Sequence, residues 1–142
     1  MGKIFVKTLV SYALIMGSMA ANAAFLGRPS PGGNSDQEQI RILQAKLGQI
    51  YGEIGTVTAD LSCTSDSECH SIAVGNRACG GPQGYMVYSV AKTDVPRLTD
   101  LAAQSARVEG EINALTGLAS ICSMQMPPTV GCVADLCKEV GN

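Results

Sequence analysis

The chain has 142 residues, enough for one domain with its own core, and a formal net charge of −2 from 10 basic and 12 acidic residues. No run of basic residues stands out, so a nucleic-acid role, which needs a positive patch, is not expected. The sequence contains no tryptophan and only two phenylalanines, which predicts a mainly aliphatic core.

The N-terminus has the three parts of a secretory signal peptide. Lys3 and Lys7 give a positive start, residues 8–16 form a short, mostly apolar run, and Ala21 and Ala23 supply small residues before a cleavage site. The apolar run is short for a membrane span, which needs about 20 residues, although an uncleaved anchor is the alternative. Cleavage after Ala23 predicts a periplasmic or secreted protein with no membrane span. Residues 24–35, rich in proline, glycine and serine, are expected to form a flexible linker.

Residues 36–61 are predicted to form an amphipathic helix with a coiled-coil-like heptad seam. Ser35 and Glu38 have the spacing of a capping box. Three internal glycines, Gly48, Gly52 and Gly55, form a second stripe, which indicates either close approach by another helix or a weak surface helix. We favour the surface helix. The apolar seam consists of Ile40, Leu43, Leu47, Ile50, Ile54, Val57 and Leu61. This helix could pair with the second helix of the same chain or self-associate, and pairing within the chain needs no partner.

Residues 62–142 are predicted to form a disulfide-rich α+β domain. Ile72 and Val74 mark one face of a first strand, and residues 85–90 form a second strand with alternating faces. The intervening N-R-A-C-G-G-P-Q-G has turn chemistry. A second helix is expected over 94–118, with Thr93 or Asp94 as its N-cap. The tail is expected to form a last strand or a small hairpin around Ala134-Asp135.

Six cysteines, all in the second half of the chain, predict three disulfides in an oxidising compartment. No C-x-x-C motif indicates a redox centre, and only Cys132-x4-Cys137 has zinc-like spacing, so we expect no metal site. If the tail strand runs down beside the first strand, the expected bridges are Cys79–Cys122, Cys69–Cys132 and Cys63–Cys137, one of 15 pairings.

The run C-x5-C, G-N-R-A-C-G-G-P and Y-x-x-Y-S, followed by a helix and a C…P-P…C…C tail, resembles an uncharacterised family of small, six-cysteine, signal-peptide-bearing proteins of Gram-negative bacteria. The resemblance covers Cys63 to Cys137, and the helix 36–61 is an addition to that unit. The family implies no activity and supplies no catalytic residues.

Catalysis is not expected. His70 is the only histidine, and it follows a cysteine that should be bridged. Asp66, Glu68 and His70 would share a face if the backbone were extended, which is the arrangement of a metal cluster, but a solvated loop is the preferred interpretation. No phosphate-binding glycine motif is present, because Gly80-Gly81-Pro82 lacks the following lysine. No cofactor is therefore expected.

Two functions remain. The first is a non-catalytic interaction module that binds an unknown protein partner or associates with itself through the helix 36–61. The second is an inhibitor of a secreted hydrolase that uses the Cys79–Tyr85 loop. A protruding loop favours the inhibitor, whereas tyrosines folded back over the core favour a structural turn. The candidate recognition residues are Gly80, Gly81, Pro82, Gln83, Tyr85 and Tyr88.

Overall fold

The computed structural model describes residues 33–117, 123 and 125–141. Its elements are α1 (Gly33–Val57), β1 (Cys69–Val74), β2 (Gly84–Ser89), α2 (Val95–Thr116), β3 (Val130–Val133) and β4 (Leu136–Glu139). The fold is α+β, with two helices and two small antiparallel hairpins. The predicted signal peptide 1–23, most of the predicted linker 24–35, and Cys122 lie outside the described residues. Neither described helix is long and apolar enough to cross a membrane.

Helix α1 confirms the predicted seam but has different ends. It begins at Gly33, so residues 33–35 are helical rather than linker, and Ser35 lies inside the helix instead of capping it. It ends at Val57, and a turn follows in which the Asp60 carboxylate accepts a hydrogen bond from the Ser62 amide (3.0 Å). The buried seam residues are Ile40, Leu43, Ile50 and Ile54, with Leu47 and Val57 half-buried.

The glycine stripe of α1 faces away from this seam. Gly48, Gly52 and Gly55 are exposed, and a Cβ placed on any of them would meet no atom within 4 Å. The described chain therefore brings no second helix against this stripe, in keeping with a surface helix whose stability comes from its buried seam.

Strands β1 and β2 form a hairpin in which Cys69 pairs with Ser89 and Val74 with Gly84. The predicted alternation is confirmed, because side chains one residue apart on a strand point to opposite faces. One face, which packs against the helices, carries Ile72, Val74, Met86 and Tyr88. The other face carries Cys69 and Val87, which pack among the tail cysteines. This hairpin therefore separates two clusters of buried residues, one on each of its faces.

Helix α2 has the predicted N-cap at Asp94, and it spans Val95–Thr116, slightly shorter than the predicted 94–118. The Asp94 carboxylate accepts a hydrogen bond from the Arg97 amide (3.1 Å), a proline follows in the first turn, and Gly117 ends the helix with φ 61°. Its inward face carries Leu98, Leu101, Ala102, Ser105 and Val108, all buried.

The two helices run antiparallel. Near the start of α2, Arg97 forms an ion pair with Glu53. Near its end, Ile112 and Asn113 line the same groove as Gln44 and Leu47 of α1. The seam of α1 is thus buried within its own chain, so self-association would have to use another face of this helix.

Strands β3 and β4 form the predicted hairpin around Ala134-Asp135. Val133 pairs with Leu136 across a two-residue turn, and both turn residues have positive φ (51° and 60°), the pattern of a type I′ turn. The segment after α1 continues this sheet, since the Leu61 carbonyl accepts from the Cys137 amide (2.8 Å).

Two of the predicted bridges are wrong. The structure joins Cys63 to Cys132 and Cys69 to Cys137. We expected a single tail strand beside β1, along which the order of Cys132 and Cys137 would decide which cysteine each of them bonds. Instead Cys132 and Cys137 are direct cross-strand partners, so they lie at the same level and present both sulfurs to one face. Residues 61–63 lie along β4, which brings Cys63 rather than Cys69 to Cys132.

The remaining described cysteine, Cys79, is also disulfide-bonded, and its predicted partner Cys122 lies outside the described residues. The two described bridges span 69 and 68 residues. Closing a loop of this size stabilises a fold by about 4 kcal/mol in the chain-entropy model.

Candidate functional site

The candidate site is the connection between β1 and β2, residues 75–83, which we call the CGGP loop. It starts with a compact polar cluster under the first turn. The Gly75 amide donates to the buried Ser105 hydroxyl (2.9 Å), and the Asn76 amide donates to Glu109 Oε2 (2.6 Å). The Asn113 side chain in turn donates to the Asn76 carbonyl (2.8 Å). Helix α2 therefore holds the loop through its backbone groups.

Gly75 is required at this point. Its φ is 72°, in the region that favours glycine. A Cβ there would also lie 2.6 Å from both the Tyr51 hydroxyl and Gln83 Cβ, and against the Glu109 carboxylate. The close packing of three side chains around this backbone leaves no room for any other residue.

Tyr51 links α1 to the same cluster. Its hydroxyl donates to Glu109 Oε1 (2.9 Å), so this carboxylate accepts one hydrogen bond on each oxygen. Burial, and next the hydrogen bond to the Glu109 carboxylate, raise the pKa of Tyr51 to about 12. Glu109 thus serves as a structural acceptor that joins both helices to the loop.

The tip of the loop is a glycine turn, as predicted. The Gly80 amide donates to the Arg77 carbonyl (2.9 Å), and the Arg77 amide donates to the Gly81 carbonyl (3.0 Å). Both glycines have positive φ (95° and 80°), which explains the Gly-Gly pair. The tip is exposed, and a Cβ on either glycine would meet no atom within 4 Å.

Two residues from another part of the chain, Ser123 and Gln125, brace the loop from the side. Arg77 Nη1 donates to the Ser123 carbonyl (2.9 Å), and the Tyr85 hydroxyl lies 3.5 Å from the Gln125 carbonyl. With its amide nitrogen turned toward the loop, Gln125 also donates to the Gln83 carbonyl (3.0 Å) and accepts from Arg77 Nη2 (3.2 Å). The loop is consequently anchored on both sides of its tip.

The candidate recognition residues divide into two groups. Gly80, Gly81 and Gln83 are exposed, and Pro82 and Tyr85 are half-buried. Tyr88 is only 9% exposed and packs in the helix-facing core, so its inclusion in a recognition surface was wrong. Alternation along β2 explains the difference, because Tyr88 shares the inward face with Met86.

Two grooves border the loop. The larger, of about 610 Å³, lies between the loop and the two helices, and the smaller, of about 360 Å³, lies between the loop and the residues Ser123 and Gln125. Arg77 lines both. The larger groove also includes Gln44, Gln83, Glu109 and Asn113, and the smaller one Gly80, Gly81, Pro82 and Gln125. His70 lines neither of them.

The residues considered for catalysis or metal binding lie elsewhere and are not brought together. His70 is exposed, and its Nε2 is 3.2 Å from the Ser67 carbonyl oxygen. Residues 66–68 form a 3-10 turn rather than an extended strand, so Asp66, Glu68 and His70 do not share a strand face, in keeping with the preferred interpretation of a loop.

The carboxylates of Asp66 and Glu68 instead accept hydrogen bonds that hold the structure together. Asp66 accepts from the Cys132 amide (2.7 Å), which ties this turn to β3. Glu68 accepts from the Thr64 amide and hydroxyl (both 2.8 Å), and these bonds lower the pKa of Glu68.

No family model matches the chain, and no curated protein or solved structure is significantly similar to it. The polar cluster of Tyr51, Gly75, Asn76 and Glu109 was not predicted from the sequence. Its only local signal is a glycine-asparagine pair directly after a strand, which marks a turn but does not identify the helix residues that bind it.

Proposed function

We propose that this chain is an exported, non-catalytic interaction module, acting in the periplasm or outside the cell, with the CGGP loop as its recognition surface. The observation that carries the proposal is the combination of an exposed glycine tip with firm anchors on both sides. Such a loop loses little conformational entropy on binding, because its order is already established in the free protein.

The chemistry of the surroundings supports binding rather than catalysis. Glu109, Asp66 and Glu68 all accept hydrogen bonds that hold backbone segments together. Met126, which follows Gln125 in the chain, is 75% exposed. An apolar side chain beside an ordered loop is a suitable anchor for a protein partner.

A photo-crosslinking amino acid at Gln83, in the exposed part of the loop, tests this proposal in the producing cell. The matched control carries the same amino acid at Glu111, which is exposed on α2. We expect a discrete adduct from position 83 that is absent from position 111. Equal labelling at both positions, or none at either, would contradict a recognition role for the loop.

Export and oxidation are tested by intact mass before and after reduction and alkylation. The proposal expects a chain that starts at Ala24 and gains six alkyl groups only after reduction. A chain that retains residues 1–23, or free thiols in the exported protein, would count against it.

Inhibition of a secreted hydrolase is the second candidate, favoured by the rigidity of the Arg77–Gly81 turn. The tyrosines argue against it, because Tyr88 folds into the core and the Tyr85 hydroxyl faces Gln125. An inhibition assay of the oxidised protein against a panel of secreted endoproteases distinguishes the inhibitor from the interaction module. Inhibition that is lost in Gln83→Ala but kept in Glu111→Ala would favour the inhibitor.

A further inference from the structure

The larger groove, between the CGGP loop and the two helices, holds a carboxylate that no cation of the described chain neutralises. Glu109 lies half-buried on its wall and accepts from the Tyr51 hydroxyl (2.9 Å) and the Asn76 amide (2.6 Å), which are both neutral donors. It forms no ion pair with any described residue. A carboxylate has about four acceptor sites, of which these bonds use two. The groove therefore offers a negative charge that can accept further hydrogen bonds.

Side-chain amides line much of the rest of the groove. The amide groups of Gln44, Asn76 and Gln83 make no hydrogen bond with any other residue that the structure describes. Asn113 donates through its amide nitrogen to the Asn76 carbonyl (2.8 Å), which leaves its side-chain oxygen as an acceptor. An ammonium group carries three donors and no acceptor, so carboxylate and amide oxygens are the partners it requires.

The apolar part of the lining suits an alkyl chain. Leu47 of α1 and Ile112 of α2 both line the groove and are half-buried. The four-carbon stem of a lysine packs along such surface while its ammonium reaches polar groups. Arg77, the other charged residue on this groove, donates through its guanidinium to the Ser123 carbonyl (2.9 Å) and to Gln125 (3.2 Å), which line the smaller groove. Its charge is therefore directed toward the smaller groove.

We infer that the larger groove takes a lysine side chain of the protein partner, with the ammonium on Glu109 and the stem against Leu47 and Ile112. The inference rests on the proposed recognition role of the CGGP loop, and it names the side chain that the partner inserts. Arginine fits less well, because its rigid fork needs two parallel acceptors, and the Glu109 oxygens already accept from Tyr51 and Asn76. A peptide N-terminus has the ammonium but lacks the stem.

An NMR titration of the oxidised, isotope-labelled protein with Nα-acetyl-lysine methylamide tests the inference. We expect the amide signals of Asn76, Glu109 and Asn113 to shift, with a Kd on the order of 1 mM. The same probe with its Nε acetylated carries no charge and should bind at least about tenfold more weakly. Absence of shifts with the lysine probe, or equal binding of the acetylated one, would overturn the inference. Tighter binding of alanine methylamide, which has only a main-chain amine, would do the same.

Two lysine substitutions on α1 distinguish the groove from a general effect of charge. Gln44→Lys adds an ammonium to the groove lining, whereas Gln49→Lys adds the same charge at an exposed position that does not line it. We expect the first variant to bind the lysine probe at least about fivefold more weakly than the parent, through repulsion and competition for Glu109. The second should stay within about twofold, because its charge is exposed and screened. Equal affinities in the two variants would overturn the inference.

The photo-crosslinking amino acid at Gln83 keeps this inference distinguishable from the proposed function. We expect Gln44→Lys to remove the adduct in the producing cell and Gln49→Lys to keep it. An adduct that persists in both variants would overturn the lysine inference and leave the recognition role of the loop intact. No adduct from the parent chain would instead overturn the proposed function, and the partner's lysine with it, whatever the probe titration shows.

Discussion

Replacement of Gly75 by alanine should be among the most damaging single changes in the molecule. The added Cβ would lie 2.6 Å from the Tyr51 hydroxyl and Gln83 Cβ, and against the Glu109 carboxylate. The backbone cannot move away easily, because the Gly75 and Asn76 amides both donate hydrogen bonds to side chains of α2. The side chains must therefore shift and break their own contacts.

Three costs contribute to the loss. An alanine at φ 72° costs about 1 kcal/mol relative to glycine. Overpacking of a tight site costs about 1–3 kcal/mol. Displacing the Glu109 carboxylate weakens hydrogen bonds to a charged group, worth about 1.5–3 kcal/mol. We expect a combined loss of about 4 kcal/mol in the free energy of unfolding, with the disulfides intact.

Urea denaturation of the oxidised protein, followed by circular dichroism, measures this loss, and thermal melting should show a fall in Tm of about 15 °C or more. Gly48→Ala is the matched control. The same methyl group there meets no atom within 4 Å on an exposed helix, so it should stabilise the protein by about 1 kcal/mol. A Gly75→Ala protein within about 1 kcal/mol of the parent would refute the packing argument.

Three further predictions concern the polar cluster and the tail hairpin. Ser105→Ala leaves the buried Gly75 amide without its acceptor, so it should lower the free energy of unfolding by about 1–3 kcal/mol in the same urea titration. The control, Thr116→Ala on the exposed face of α2, should change the free energy of unfolding by less than about 0.5 kcal/mol. Tyr51 has a raised folded-state pKa of about 12. The stabilisation that its protonated hydroxyl provides is therefore complete below about pH 10 and is lost as the pH rises to 12. After allowance for solvent screening, this stabilisation amounts to about 1 kcal/mol. Tyr51→Phe should remove the step in phenolate absorbance near pH 12, and an unchanged titration would contradict the assignment. Replacing Ala134-Asp135 by Asn-Gly should raise the free energy of unfolding by about 1 kcal/mol, because both positions have positive φ, and a loss of stability would argue against a type I′ turn.

The sequence by itself determined the local elements, because periodicity and turn chemistry depend on neighbours along the chain. The 3-4 spacing predicted the seams of both helices. Strand alternation grouped Ile72 with Val74 on the first strand and separated Met86 and Tyr88 from Val87 on the second. Positive φ at Gly80 and Gly81 accounts for the turn that the Gly-Gly pair predicted.

Only the tertiary structure decided how these elements are joined. The disulfide pairing depends on where the tail hairpin packs against β1. Cys132 and Cys137 lie directly opposite each other, so the same sequence pattern is compatible with either of them bonding to Cys63 or Cys69. The contact of Tyr51 with Glu109 joins residues 58 positions apart. Hydrophobic periodicity specifies which face of an element is buried, but a polar contact between elements depends on their relative placement, which no local pattern encodes.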